Sequence, residues 1–292
     1  MKLAISHAGG DFQLDVPALA PDRAFTLMEL LAVLSLMFVA SCLLTTALAW
    51  SRPDAQVAQC LNNARELTVA WRMYAEDSLD RIVYASDDGK GAANPLNQFA
   101  WTQTHLDLSQ QNRVNWDPAL AAQTPLWNYC GRNLATWKCP SDNSSVLVNG
   151  VQKPRVRSRS MNVFLGGFAG TYGGWPNLDS YRLYFKLSDL GVPGPARIDV
   201  FLDMPAEAIN WGNFMTDMDG FSPPNPAAYA FMDWPGFYHD GACTLSFGDG
   251  HVAMKRWSDP RTTATRGEVS SPLASPRNPD IAWLQDHATR PK

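Results

Sequence analysis

The residues able to move a proton or hold a metal are led by His105, His239, His251 and Asp249. His239 precedes the β-rich run Ala242–Phe247, and Asp249 lies in the turn "GDG" (248–250) that follows it. The spacing favours a structural role: a His239–Asp249 hydrogen bond locking a hairpin whose turn is completed by Gly250. Metal ligation is the second reading. Catalysis is third, because no Ser or Cys sits in a nucleophile elbow and no paired-carboxylate motif stands out. No enzyme is expected. A second oxygen-rich stretch, "NFMTDMDG" (213–220), places Asp217, Asp219 and Gly220 like the end of a calcium loop, but Met215 stands where such a loop needs an oxygen.

The five cysteines offer thiol chemistry. Cys130 and Cys139 flank a Gly-Arg-Asn turn and are spaced for a disulfide in an oxidising compartment. Cys60 and Cys243 could pair only if the fold brought them together. Cys42 reads as a small apolar filler. With no Cys-x-x-Cys or close Cys/His spacing, a structural zinc site is not expected.

The elements that must position these residues follow from patterning. The chain has 292 residues, 46% apolar and 18% charged, with a net charge of -4. That fits one medium domain with appendages and excludes a basic nucleic-acid surface. Leu30 to Ser51 carries no charge and lies between Glu29 and Arg52. At about 1.5 Å per residue it would span roughly 33 Å, a bilayer core. Lys2 and Arg23 against Asp11, Asp15 and Asp22 make a poor signal-peptide n-region, so a retained membrane helix is expected. After Pro53, Asp54 could cap a restart. Val57, Cys60, Leu61, Ala64, Leu67, Thr68, Trp71, Tyr74 and Ala75 then form the apolar stripe of an amphipathic helix. Strands are expected at Arg159–Leu165 and Ala196–Met204, and Ala242–Phe247 pairs with His251–Trp257 across the turn. Strands that follow one long helix without alternating with helices imply α+β with an antiparallel sheet. The tail from Ser258 to Lys292 reads as largely mobile, with "IAWLQDH" (281–287) docked as a short helix. Eleven tryptophans are mostly core by this reading, with sugar stacking as the alternative.

The stretch "RAFTLMELLAVLSLM" resembles the cleavage and methylation segment of type IV pilins and type II secretion pseudopilins. A small residue, then Phe, Thr-Leu, an apolar residue, Glu and Leu are matched by Ala24, Phe25, Thr26, Leu27, Met28, Glu29 and Leu30. The departure is Ala24, where the family's peptidase prefers Gly. "CLNNARELTVAWRMYAEDSLDRIV" (60–83), "KCPSD" (138–142), "FLDM" (201–204) and "NPDIAWLQDHAT" (278–289) also resemble such chains, and "HDGACTLSFGDGHV" (239–252) resembles a carboxy-terminal domain found with these leaders.

The resemblance implies a leader (1–24), a transmembrane helix (25–52), a stalk helix (53–80), a pilin-like head (81–257) and a tail (258–292). It implies cleavage after Ala24 by a prepilin peptidase and methylation of Phe25. Glu29 would be favoured by the helix dipole and paired with the free Phe25 amine of a neighbouring subunit. The expected product is a single-pass inner-membrane subunit with its head in the periplasm. It would assemble with itself into a periplasmic or extracellular helical filament through inner-membrane secretion or pilus machinery, without nucleic acid. Calcium at Asp217 and Asp219 is implied by the same likeness. The rival expectation is a membrane-anchored module that captures glycans through a tryptophan-rich head.

Overall fold

A computed structural model describes residues 26–103, 105–107, 109, 111–175, 178–264 and 272–292, with the backbone alone for 42–54. The expected leader and the Ala24–Phe25 cleavage point lie outside the described residues. The chain divides into two compact units, Met1–Ser51 and Arg52–Lys292.

Helix α1 (Leu27–Asp77) is helical through Pro53 and crosses that division. In the first unit its described side chains, from Thr26 to Ser41, are all exposed. In the second unit the stripe is inward: Cys60, Ala64, Leu67, Thr68, Trp71 and Ala75 are fully buried. Asn63, which is not part of that stripe, is buried as well and donates to the Ala135 carbonyl at 2.8 Å.

The second unit is built on a mixed sheet. Its strands are β3 (Arg159–Asn162), β4 (Asp199–Asp203), β5 (Asn213–Phe214), β7 (Ala242–Phe247) and β8 (Val252–Arg256), in the order β5-β3-β4-β7-β8. Smaller antiparallel pairs join β1 (Ser145–Val148) to β2 (Val151–Pro154), and β6 (Ala230–Phe231) to β9 (Leu273–Ala274). Every residue of β3, β4 and β7 is buried, so both faces of the central sheet are covered. Adjacent residues therefore serve different cores, as strand alternation requires. Phe201 packs with Leu67, Trp71, Trp101 and Trp137, whereas Leu202 packs with Phe214, Trp234, Leu245 and Trp257. Helix α2 (Pro118–Ala121) is a single turn capped by Asp117.

Two expectations are corrected. The sheet is not purely antiparallel, because β3 pairs in parallel with β5 through Met161↔Asn213 and Asn162↔Phe214. The membrane-length apolar helix expected between Glu29 and Arg52 is corrected as well. Among the described residues no helix is long and apolar enough to cross a membrane. A transmembrane helix, and with it a single-pass inner-membrane location with a periplasmic head, is therefore set aside.

The tail carries the expected docked helix, and the polar residues around it are ordered too. Beyond β9, α3 (Pro279–Ala288) buries Ile281 and Leu284 in the core of Leu202 and Trp257. Its cap is Asn278, which accepts from the Asp280 amide at 2.9 Å. Asp280 is fully buried and accepts from the Ser258 amide (3.0 Å) and hydroxyl (2.9 Å), the Asp259 amide (2.9 Å) and the Thr262 hydroxyl (2.8 Å). Asp280→Ala strands these donors in the interior, so it should destabilise the protein by about 3 kcal/mol or more in denaturant unfolding. A loss within about 0.5 kcal/mol, the range of an ordinary surface change, would show the tail to be dispensable.

Candidate functional site

The densest chemistry in the second unit gathers where α1, the loop after Trp137, and the turn before β7 meet. The position of His239 is set locally. Asp240 and Gly241 have φ of 52° and 76°, and His239 and Ala242 exchange backbone hydrogen bonds of 3.3 and 3.1 Å. That is a two-residue Asp-Gly turn with left-handed central residues, which aims the imidazole back under the sheet. Cys139 is placed by the preceding 3₁₀ turn Leu134–Trp137, capped by Asn133 and anchored by Trp137 stacked at 4.8 Å on Trp101. The Cys139 amide donates to Ser158 Oγ at 2.7 Å.

The result is a cluster of Cys60, Cys139 and His239, whose Sγ and ring nitrogen atoms all lie within 4.8 Å of one another. Cys139 Sγ is 3.2 Å from His239 Nε2, and Ser141 Oγ is 3.5 Å from Nδ1. Cys60 Sγ accepts from Arg159 Nη2 at 3.2 Å and from the Thr244 hydroxyl at 3.1 Å, and lies 3.6 Å from Asp203 Oδ2. Both cysteines are fully buried and His239 is 9% exposed. The hydrogen bond with Cys139, aided by the Arg159 charge, holds the Cys60 thiol far below its usual range. The same bond and burial push Cys139 the other way. Burial raises the Asp203 carboxyl well above the carboxylate range, although Arg159 opposes it. Cys139 beside His239 has the composition of a nucleophile–base pair, but a sulfur with no exposure gives a substrate no approach. The donors suit a soft cation better than a bond-making step.

Other expected residues take different roles. His239 and Asp249 do not bond: they sit at opposite ends of β7, which alone spans roughly 20 Å. Asp249 Oδ1 instead accepts from the His251 amide (3.0 Å) and ring Nδ1 (2.6 Å), and Gly250, at φ 97°, closes the turn. The expected Cys130–Cys139 disulfide is corrected, since both are free thiols; Cys130 donates to the Trp127 carbonyl at 3.3 Å. Cys60 and Cys243 are free as well. Asp217 and Asp219 lie against α3. Their carbonyls accept the Gln285 amide at 2.9 and 3.0 Å, and Asp217 Oδ1 accepts the Asp219 amide. Glu29 lies at the start of α1, exposed, and its partner is local. It accepts from the Thr26 amide and hydroxyl, each at 2.9 Å, while its own amide donates to Thr26 Oγ1 at 3.2 Å. This reciprocal pair is a capping box, and these bonds hold the Glu29 carboxyl below its usual range.

A groove of about 520 Å³ opens elsewhere on this unit, lined by Trp175, Trp211, Asp88, Asn210, Asn213 and Asp233 among others. Trp175 is 42% exposed. Trp211 is held from behind by the His105 ring, at 3.7 Å, and His105 in turn meets Asp87 at 3.0 Å. Asn213 is buried, and its Oδ1 has no hydrogen-bond partner.

No protein-family model, curated protein or solved structure matches this chain.

Asp233 carries a pH prediction. Burial raises its carboxyl to about 7, and the Met215 amide, donating at 2.6 Å, only partly offsets this. The folded state thus binds the proton more tightly than the unfolded chain. Its contribution is full below the ordinary value of 3.8 and is lost as pH rises towards about 7. Asp233→Asn should flatten the fall in Tm across that window; an unchanged profile would mean that Asp233 is ionised in the folded protein.

Proposed function

We propose that this chain is a pilin-like, non-enzymatic subunit whose amino-terminal helical segment joins copies of itself into a helical filament. The processing and assembly apparatus would be a prepilin peptidase and a type II secretion or type IV pilus-like machine. The observation that carries this reading is the first unit's surface. From Leu30 to Val39 the segment carries no charge and exposes apolar side chains on every side, with Leu36 70% and Phe38 71% exposed. A helix apolar on every side needs cover on every side, and a bundle of identical segments supplies it. Phe25, adjoining that segment, would provide the free amine for the Glu29 of a neighbouring copy.

The capping box supplies a clean test of Glu29. Glutamine can replace glutamate in such a box but carries no charge. Glu29→Gln should therefore keep the helix start and lose incorporation into filaments, as scored in sheared fractions from a host with the peptidase. Normal incorporation of Glu29→Gln would reduce Glu29 to a cap. Mass spectrometry of the mature chain should find Phe25 at the amino terminus; an intact Met1 in that host would refute the processing.

A second reading, a glycan-binding module, is favoured by the groove. Two tryptophan rings beside carboxylates, amides and an unpartnered carbonyl oxygen match the apolar faces and hydroxyls of a sugar. Trp211→Ala should abolish retention of the full chain on an oligosaccharide array if this reading holds. Absence of any retained glycan by the unmodified protein would dismiss it.

A further inference from the structure

We propose that Cys60, Cys139 and His239 bind a thiophilic divalent cation, zinc first, which fastens the Arg52–Asp77 part of α1 to the sheet. The inference is independent of the filament reading and concerns the cohesion of the second unit.

The donor set selects the ion. Two sulfurs and one imidazole nitrogen suit zinc and its congeners, whereas calcium and magnesium require oxygen. Tetrahedral zinc with bonds of about 2.3 Å to sulfur and 2.0 Å to nitrogen separates its donor atoms by about 3.6 Å. The 3.2 Å between Cys139 Sγ and His239 Nε2, and the mutual approach of all three donors within 4.8 Å, need only small adjustments to reach that figure.

The surroundings are those of a metal site rather than of three buried side chains at rest. Cys60 Sγ accepts hydrogen bonds from both Arg159 and Thr244, the pattern that supports a metal-bound thiolate. Ser141 Oγ stands at Nδ1 of His239, where it can receive the Nδ1 proton and leave Nε2 free to coordinate. Binding takes both cysteines as thiolates, displaces to solvent whatever thiol proton remains, and creates two S–metal bonds and one N–metal bond, with no change of oxidation state. Three side chains from distant parts of the chain are thereby tied into one centre. Asp203, 3.6 Å from Cys60 Sγ, borders the remaining coordination position.

The test uses the full chain, reduced and stripped of metal by a chelator, then titrated with Co²⁺ and afterwards with Zn²⁺. One equivalent of cobalt should give a thiolate-to-metal charge-transfer band, which zinc should abolish. Cys60→Ser and Cys139→Ser should lose the band, while Cys130→Ser, a buried thiol outside the cluster, should retain it. Ser141→Ala should weaken zinc about tenfold through the outer shell. Because the serine variants could fold poorly, the unmodified chain decides by itself: no charge-transfer band under reducing conditions overturns the proposal. A native Cys60–Cys139 disulfide found by peptide mapping overturns it equally.

Discussion

Arg159 is buried to the last atom in the middle of the second unit, and a charge in that position must be held by its neighbours. Its guanidinium reaches the Cys60 carbonyl at 3.0 Å and the Cys60 sulfur at 3.2 Å on α1, and Nε faces Asp203 Oδ1 at 3.8 Å on β4. Asp203 is fixed in turn by the Ser158 hydroxyl at 3.1 Å, and Ser158 holds the backbone of Cys139. One guanidinium thus ties a helix, two strands and the Cys139 loop. Removing either member of such a pair leaves the other charge buried and typically costs about 3–5 kcal/mol. The aromatic core of Trp71, Trp101, Trp137 and Phe201 packs around this polar node, and the cysteine–histidine cluster is its edge.

Much of the second unit was legible because it obeys short periods. The stripe from Cys60 to Ala75 repeats at helical spacing and is buried, and the run Ala242–Phe247 pairs with Val252–Arg256 in register. The parallel contact of β3 with β5 was not legible, since two residues carry no period and Asn213–Phe214 open an oxygen-rich stretch with the look of a calcium loop. In the tail the short helix was legible from its apolar island, but composition misled around it: the flanking prolines and serines read as mobile, yet Asp280 and Asn278 draw Ser258, Thr262 and Ser275 into an internal network. The membrane expectation rested on an uncharged run, whereas among the described residues no helix is long and apolar enough to cross a membrane.

The candidate site was hidden for a different reason. Its three donors are separated by most of the chain, so a scan for closely spaced ligands passes over them. One local signal was available: Asp240-Gly241 is itself a tight-turn dipeptide, as readable as the Gly-Asp-Gly turn after β7, and it sends His239 towards Cys139 rather than towards Asp249. Thr26-x-x-Glu29 was likewise readable as a capping box. It gives Glu29 a partner within its own chain, so the need for a partner does not by itself demand a second subunit. The uncovered apolar surface beside it carries that argument instead.

The two units thus differ in kind: the first exposes an apolar helical segment, and the second brings helix and sheet together at soft donors. The account stands or falls most directly on what occupies those donors. Zinc-edge X-ray absorption of the purified full chain should show a shell of two sulfurs at about 2.3 Å and nitrogen at about 2.0 Å. A spectrum with only oxygen and nitrogen neighbours, or protein free of metal under reducing purification, would contradict it.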